Sequence, residues 1–146
     1  MKKTCVSLST DPSRGIDTLR AANVPAVFSD AVRVEIPGCT FLYISGKVAT
    51  DDRGHVAPRA MRDHTRQVLE NIKAVLDHEN AAMDDIVRLR VYVTQLDEQS
   101  LRDIHEVRAE YFQRGRYPAS TLVRVHQLVR QGSLIEIDAD AVMAHG

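Results

Sequence analysis

The sequence has no tryptophan, 5% aromatic residues, two cysteines and almost no excess of either charge. The 19 Lys and Arg residues are balanced by 20 Asp and Glu residues, which leaves a formal net charge of −1. Such a chain lacks the positive field and the stacking aromatics that nucleic acids need, and the field that attracts anionic lipids. We therefore expect neither nucleic acid nor membrane as a partner.

Long apolar runs are also missing. No stretch approaches the ~20 apolar residues that cross a bilayer, and no apolar segment of signal-peptide length follows the basic start, Met1 to Thr4. Cys5 and Cys39 lie in unrelated segments and have neither metal-ligand nor redox spacing. These absences predict a cytoplasmic protein with two free thiols.

The chain has 146 residues and 44% hydrophobic content, which is enough for one domain with a proper core. Residues 1–26 have little periodicity and are expected to form an irregular arm, with one helical turn around Thr18 to Asn23. Residues 27–146 are expected to form a single domain.

Alternating apolar and polar residues predict the strands of that domain. A hairpin is expected over 31–36 and 40–45, and a third strand over 86–94. Of the two final strands, one follows Pro118 and the other begins at Ile135. Gly46 interrupts the second strand, which predicts a β-bulge or a close approach of another group to the backbone.

Apolar residues at three- and four-residue spacing predict two helices. The first follows Pro58 and ends near Glu79, and the second runs from Ser100 to Gly115, with Ser100 and Asp103 resembling a capping box. The order strand, strand, helix, strand, helix, strand, strand favours an α+β sandwich. In this fold two helices cover one face of a mainly antiparallel sheet.

The last strand carries its acidic residues on one face. Glu136 and Asp138 alternate with Ile135 and Ile137, so the acidic face cannot be an ordinary core. The side chains predicted on this uncovered face are Arg88, Arg90, Leu122, Arg124, Glu136 and Asp138. Because this mixture suits neither a core nor plain solvent exposure, we expect a ring-like homo-oligomer with clefts between its subunits.

Several segments in order resemble motifs of the Rid family, the reactive intermediate deaminases also called RidA/YjgF. Phe28 to Val32 resembles Tyr-Ser-Gln-Ala-Val, Ile44 to Val48 resembles the Ser-Gly-Gln segment, and Ile135 to Ala139 resembles Ile-Glu-Ile-Glu-Ala. Pro118-Ala119-Ser120 resembles the start of the Pro-Ala-Arg-Ser strand. The resemblance implies a homotrimer of chorismate-mutase-like sandwiches, with intersubunit clefts and neither metal nor organic cofactor.

The resemblance also implies a site for water attack on an enamine or imine. Glu136 takes the place of the carboxylate that holds the attacking water, and His105 falls where the family usually has Asn, so these two are the expected catalytic residues. Phe28 replaces an aromatic Tyr over the substrate. The expected substrate-binding residues are Phe28, Gly46, Lys47, Ser120, Leu122 and Arg124.

Ser120 is the main departure from the family pattern. It occupies the position of the Arg that binds the substrate carboxylate, and a hydroxyl cannot replace a bidentate guanidinium. Arg124 lies on the same face of the strand, but roughly 13 Å further along it. A longer, dicarboxylate substrate would be needed to reach Arg124.

Each candidate also has an ordinary structural interpretation. Glu136 could pair with Arg90 or Arg124, His105 could be a packed or capping residue, and Ser120 lies in no nucleophile motif. Four further residues could suggest a metal site but fit no known metal-ligand spacing: His55, Asp63, His64 and His78. Of these, His64 is expected on a solvated helix face.

Three functions follow from these patterns. The first is hydrolytic deamination of a small-molecule carboxylate that carries an enamine or imine, of either the 2-iminobutanoate/2-iminopropanoate or the 2-aminomuconate type. The second is a homotrimer that binds such a molecule without turnover. The third is an endoribonuclease, against which the charge balance and the few aromatic residues argue.

Overall fold

The computed structural model describes residues 1–9, 21–51, 55–56 and 60–145. Its strands are β1 (Lys2–Val6), β2 (Ala31–Ile36), β3 (Cys39–Val48), β4 (Ile86–Val93), β5 (Ala119–Arg124) and β6 (Ile135–Ala144). Its helices are α1 (Met61–His78) and α2 (Glu98–Tyr111), with a 3-10 turn at Met83–Asp85. None of the described helices is long and apolar enough to cross a membrane.

The six strands form one sheet in the order β1-β2-β3-β6-β4-β5. Only β4 and β5 pair in parallel, because α2 crosses over between them, and the other pairs are antiparallel. The predicted sandwich with two helices on one face of a mainly antiparallel sheet is therefore confirmed. Lys2–Val6 forms an edge strand, so the expectation of an irregular arm is wrong for these residues. The helical turn expected around Thr18 to Asn23 falls largely outside the described residues.

The core lies between the sheet and the helices. Helix α1 contributes an apolar stripe, and every second residue of the central strands points toward it. The fully buried side chains include Leu42, Leu69, Ile72, Leu76, Leu89, Val91, Ile104, Ile135 and Ile137. The opposite face of the sheet is covered by no element of the described chain, and we call it the open face.

Helix α2 begins earlier than its sequence suggests. Asp97 is the N-cap, and its Oδ1 accepts the backbone N–H of Ser100 at 2.7 Å. The predicted capping box of Ser100 and Asp103 is therefore wrong, because Ser100 lies inside the first turn as the residue that is capped. The backbone hydrogen bond from Ser100 is also the main cause that lowers the pKa of Asp97.

Candidate active site

A β-bulge in β3 places a glycine against the acidic residue of β6. The register shifts between Ile44 and Lys47, so Ser45 and Gly46 lie outside the regular ladder. A Cβ built on Gly46 would lie 2.1 Å from Oε1 of Glu136 and 2.9 Å from its Cδ. The bulge and close approach predicted from Gly46 are thus confirmed, since only glycine leaves room for the carboxylate here.

Glu136 is half-buried and, within the described residues, has no hydrogen-bond or ion-pair partner. Burial is the main cause that raises the pKa of its carboxyl, and the nearby charge of Asp138 adds to the effect. Arg90 binds Asp138 at 2.5 Å and Asp140 at 2.7 Å instead. The alternative in which Glu136 simply pairs with Arg90 is therefore wrong.

Two neighbours of Glu136 were not identified from the sequence. Val48 of β3 and Tyr92 of β4 lie directly opposite it on the two flanking strands, and Val123 of β5 continues the same row. Paired residues in a sheet share a face, so this row lies on the open face beside the carboxylate. The alternation of apolar and polar residues in β4 places Tyr92 on the same face as Arg88 and Arg90. Only the pairing register of β4 with β6 shows that Tyr92 lies opposite Glu136.

Phe28 precedes a segment that is bonded to the bulge. The chain next to it is tied to the bulge, because Ser45 Oγ donates to the carbonyl of Ser29 at 2.6 Å and Ser45 N donates to that of Asp30 at 3.0 Å. The Phe28 side chain is 56% exposed. The backbone next to Phe28 is thus fixed to the bulge, whereas the ring itself is largely exposed.

Lys47 lies close in sequence to Gly46 but does not join the group. It is opposite Ile137, whose side chain points into the core, and its ammonium group forms an ion pair with Asp30. Asp30 also accepts the backbone N–H of Leu8 at 2.8 Å. The role predicted for Lys47 in substrate binding therefore has no support from its position, and its contacts are structural.

The β5 residues expected beside Glu136 lie on the other face of the sheet. Ser120 is opposite Leu89, Leu122 is opposite Val91, and Arg124 is opposite Val93, and all three β4 partners point toward the helices. The prediction that Leu122 and Arg124 share the open face is therefore wrong. The sequence could not show this, since alternation separates two faces without saying which one the helices cover.

Arg124 and His105 are likewise separate from Glu136. Arg124 Nε donates to the carbonyl of Thr94 at 3.3 Å, and its position opposite Val93 places it on the face of the sheet away from Glu136. His105 is exposed on α2, across the sheet from Glu136. Partial burial lowers the pKa of His105, and the positive charge of Arg108 lowers it further.

The histidines and cysteines form no metal site within the described residues. Cys5 and Cys39 are free thiols, as predicted. His64 is 0% exposed, so the expectation that it lies on a solvated helix face is wrong.

Comparisons with known proteins agree with this architecture. Residues 18–143 match the family model described as Endoribonuclease L-PSP. A RutC family protein of Pyrococcus horikoshii is 37% identical over 102 residues, which cover 69% of this chain and 78% of that protein. A 2-iminobutanoate/2-iminopropanoate deaminase of Dermatophagoides farinae is 29% identical over 133 residues, covering 90% and 98%.

Solved structures show the same fold. A protein of unknown function from Yersinia pestis, described as a member of the conserved Rid protein family, is similar with a TM-score of 0.74 and 28% identity. The similarity covers 96% of this chain and 98% of that one. The two helices and six-stranded sheet thus match the expected chorismate-mutase-like sandwich.

Proposed function

We propose that this chain, which belongs to the Endoribonuclease L-PSP family, also called the YjgF/Rid family, hydrolyses the C=N bond of an enamine or imine metabolite. The products are a carbonyl compound and ammonia. The observation that carries the proposal is the Glu136 carboxylate, which is unpaired within the described residues, half-buried and in contact with Gly46. The resemblance of the chain to a 2-iminobutanoate/2-iminopropanoate deaminase supports the same reaction class.

Glu136 acts in this proposal as a general base. Its carboxylate accepts a hydrogen bond from water and takes a proton as the water oxygen attacks the C=N carbon. Glu136 returns that proton to the nitrogen, which gives a carbinolamine. A second proton, from solvent, makes the nitrogen a leaving group, the C–N bond breaks and ammonia leaves, while the hydroxyl proton passes to Glu136 as the C=O bond forms. A raised pKa makes the carboxylate a stronger base and makes its acid form easier to reach for the return of the proton.

The cleft is proposed to form between two copies in a homotrimer. Glu136 lies on the open face against Gly46 of the bulge, and the chain that follows Phe28 is bonded to the same bulge. Ser120, Leu122 and Arg124 lie on the other face, on the edge strand β5, and His105 is exposed on α2 in the helix layer of that face. Because the sheet separates the groups within a protomer, they can meet only across a boundary between copies.

The substrate proposed for this cleft is a small carboxylate longer than the simplest 2-imino acids. Ser120 provides no guanidinium. Among the described residues Arg124 is bound only through its Nε, to Thr94, so its two terminal nitrogens are proposed to bind the ligand. A neutral His105, favoured by its lowered pKa, can donate a hydrogen bond to the substrate. An unsaturated dicarboxylate of the 2-aminomuconate type would span these groups.

The test is ammonia release from freshly generated 2-aminoacrylate and 2-aminomuconate, measured for the wild type and Glu136→Gln. We expect faster turnover of 2-aminomuconate, and a loss on the order of 100-fold or more in Glu136→Gln. Asp140→Asn is the matched control, because it removes a carboxylate from the same strand and face without touching Gly46. Equal activity in wild type and Glu136→Gln would refute the role of Glu136.

Two other functions give different results in this experiment. A trimer that only binds the acid would be stabilised thermally by it and release no ammonia in any variant. An endoribonuclease, the activity in the family description, would cleave RNA with a rate that depends steeply on salt. The net charge of −1 makes the RNA substrate the weaker proposal.

A further inference from the structure

His64 is a buried histidine with a defined hydrogen-bonding role. It lies on α1 with 0% exposure, and its Nδ1 accepts the backbone N–H of Leu134 at 3.2 Å. An Nδ1 that accepts an amide proton carries no proton of its own, so the neutral ring carries its proton on Nε2. Burying an imidazole is unfavourable unless it is hydrogen-bonded, so the contact with Leu134 is a reason for His64 to stay in the core.

The residue held by His64 directly precedes the strand that carries Glu136. Leu134 also accepts, at its carbonyl, the backbone N–H of Thr94 at 3.0 Å. Leu134 is thus bound to the helix layer through its N–H and to the end of β4 through its carbonyl. The next residue, Ile135, is fully buried, and Glu136 follows it.

This attachment matters because Glu136 lies near an end of the sheet. On the β3 side its partner is Val48, the last residue of that strand, and only the Lys47–Ile137 pair lies between Glu136 and the bulge. Strand ends without further support fray, and a displacement of a catalytic group by about 1 Å can cost 100-fold in rate. The bond from His64 fixes the backbone where β3 gives little support.

We infer that His64 is a positioning residue for Glu136: its Nδ1 anchors Leu134 and thereby sets where the carboxylate lies over Gly46. His64 itself is across the core from the open face and contacts no substrate. The consequence for catalysis rests on the proposed function, whereas the structural consequence, an ordered start of β6, does not.

Two substitutions of His64 isolate the acceptor. Asn carries its Oδ1 the same number of bonds from the backbone as Nδ1 of His, so His64→Asn keeps an acceptor for Leu134. The Leu side chain of His64→Leu has nearly the same shape as Asn, but its methyl groups cannot accept the hydrogen bond from Leu134. Thr65→Val is the control for a damaged helix, because Thr65 is fully buried beside His64 and bonds only to Met61 of α1 among the described residues.

The first measurement is ammonia release with the substrate that the wild type turns over. We expect kcat of His64→Leu to fall about 10- to 100-fold with KM within about threefold, and His64→Asn to keep kcat within about fivefold. Thr65→Val should retain wild-type kcat. Equal loss in the Asn and Leu variants, or an equal loss in Thr65→Val, would overturn the inference.

The second measurement needs no turnover and uses NMR. In His64→Leu the Leu134 amide should exchange with solvent at least about tenfold faster, and the titration of the Glu136 side-chain carboxyl should move, whereas His64→Asn should resemble the wild type. If the wild type releases no ammonia from any imine, the proposed function fails, and these two signals still decide the role of His64. Unchanged Leu134 exchange in His64→Leu would overturn it.

Discussion

At the scale of single residues, the most informative feature is a carboxylate that the fold does not neutralise. Arg90, a cation on the open face, binds Asp138 and Asp140 and reduces the repulsion between them. Glu136 is left half-buried, with the negative charge of Asp138 nearby. Natural folds keep such groups mainly at functional sites, because a partly buried, unpaired charge destabilises the folded state.

This cost predicts a stability difference that depends on pH. The pKa of Glu136 is higher in the folded state than in the unfolded state. Its contribution to folding stability is therefore fully present below the ordinary Glu pKa of about 4.3, and it is lost as the pH rises through the raised folded-state pKa. Glu136→Gln should therefore have a higher Tm than the wild type at pH 8, and the gap should close toward pH 4. Calorimetry of both proteins between pH 4 and pH 8 tests this prediction. A Tm difference that grows as the pH falls would contradict it.

The charge of Asp138 should set the acid limb of the activity profile. The base must be ionised, so activity falls as the pH drops through the pKa of Glu136. Asp138→Asn removes the second cause of the raised pKa, so the acid limb of kcat/KM should move to lower pH. The pH dependence of ammonia release measures the shift, and a limb that moves upward would show that Asp138 acts otherwise.

Gly46 should tolerate no side chain. The Cβ of Gly46→Ala would collide with the Glu136 carboxylate, and we expect a loss of activity on the order of 10- to 100-fold. Gly38→Ala is the control: its turn needs a positive φ of 88° but has open space, so it should cost about 1 kcal/mol of stability and leave turnover intact. Equal activity of Gly46→Ala and wild type would contradict the crowding.

At the scale of elements, the boundaries depend on short polar contacts that periodicity does not report. The apolar stripe of α2 begins at Leu101, but the helix begins earlier because Asp97 caps it. Helix α1 ends at His78 with Glu79 as its C-cap, and Asn80 follows with a φ of +57°. The N–H of Ala81 then donates to the carbonyl of Leu76 at 2.8 Å. This is the left-handed ending that Gly and Asn accept most readily.

The ending of α1 predicts opposite effects of two substitutions. Asn80→Val forces a β-branched residue into the left-handed region and should cost roughly 1–2 kcal/mol of unfolding free energy. Asn80→Gly should be as stable as the wild type or slightly more so. Urea denaturation of both variants measures the difference, and equal midpoints would show that the turn is set by other contacts.

At the scale of the whole molecule, the two groups of candidate site residues lie on opposite faces of one sheet. A trimer that joins them predicts complementation between inactive variants. Glu136→Gln and a double variant with His105→Ala and Arg124→Ala should each be inactive alone. After co-refolding, random mixing in a trimer makes about a quarter of the clefts fully wild-type, and the same share of activity should return.

The measurement combines light scattering with ammonia release before and after mixing. A molar mass of three chains with restored activity supports the shared cleft. A monomeric mass, or a trimer in which mixing restores nothing, would contradict it. Each variant refolded alone is the control, because it separates complementation from recovery of a misfolded sample.

The sequence by itself determined the fold class, the order of the elements that follow β1 and the bulge at Gly46, and it singled out Glu136 as the candidate base. These properties depend on local spacing: period two makes a strand, period 3.6 makes a helix, and a glycine at a strand end marks a place where a side chain does not fit. The family motifs depend on the same local order. They therefore identified the Rid resemblance that the comparisons confirmed.

Only the tertiary structure decided which residues meet. Alternation along β5 separates Ser120 and Arg124 from Thr121, but the register with β4 decides which set faces the helices. Burial of His64, and the absence of an ion-pair partner for Glu136 in the described part of the chain, depend on distances between segments far apart in the sequence. Electrostatics and burial act through space, so no pattern along the chain contains them.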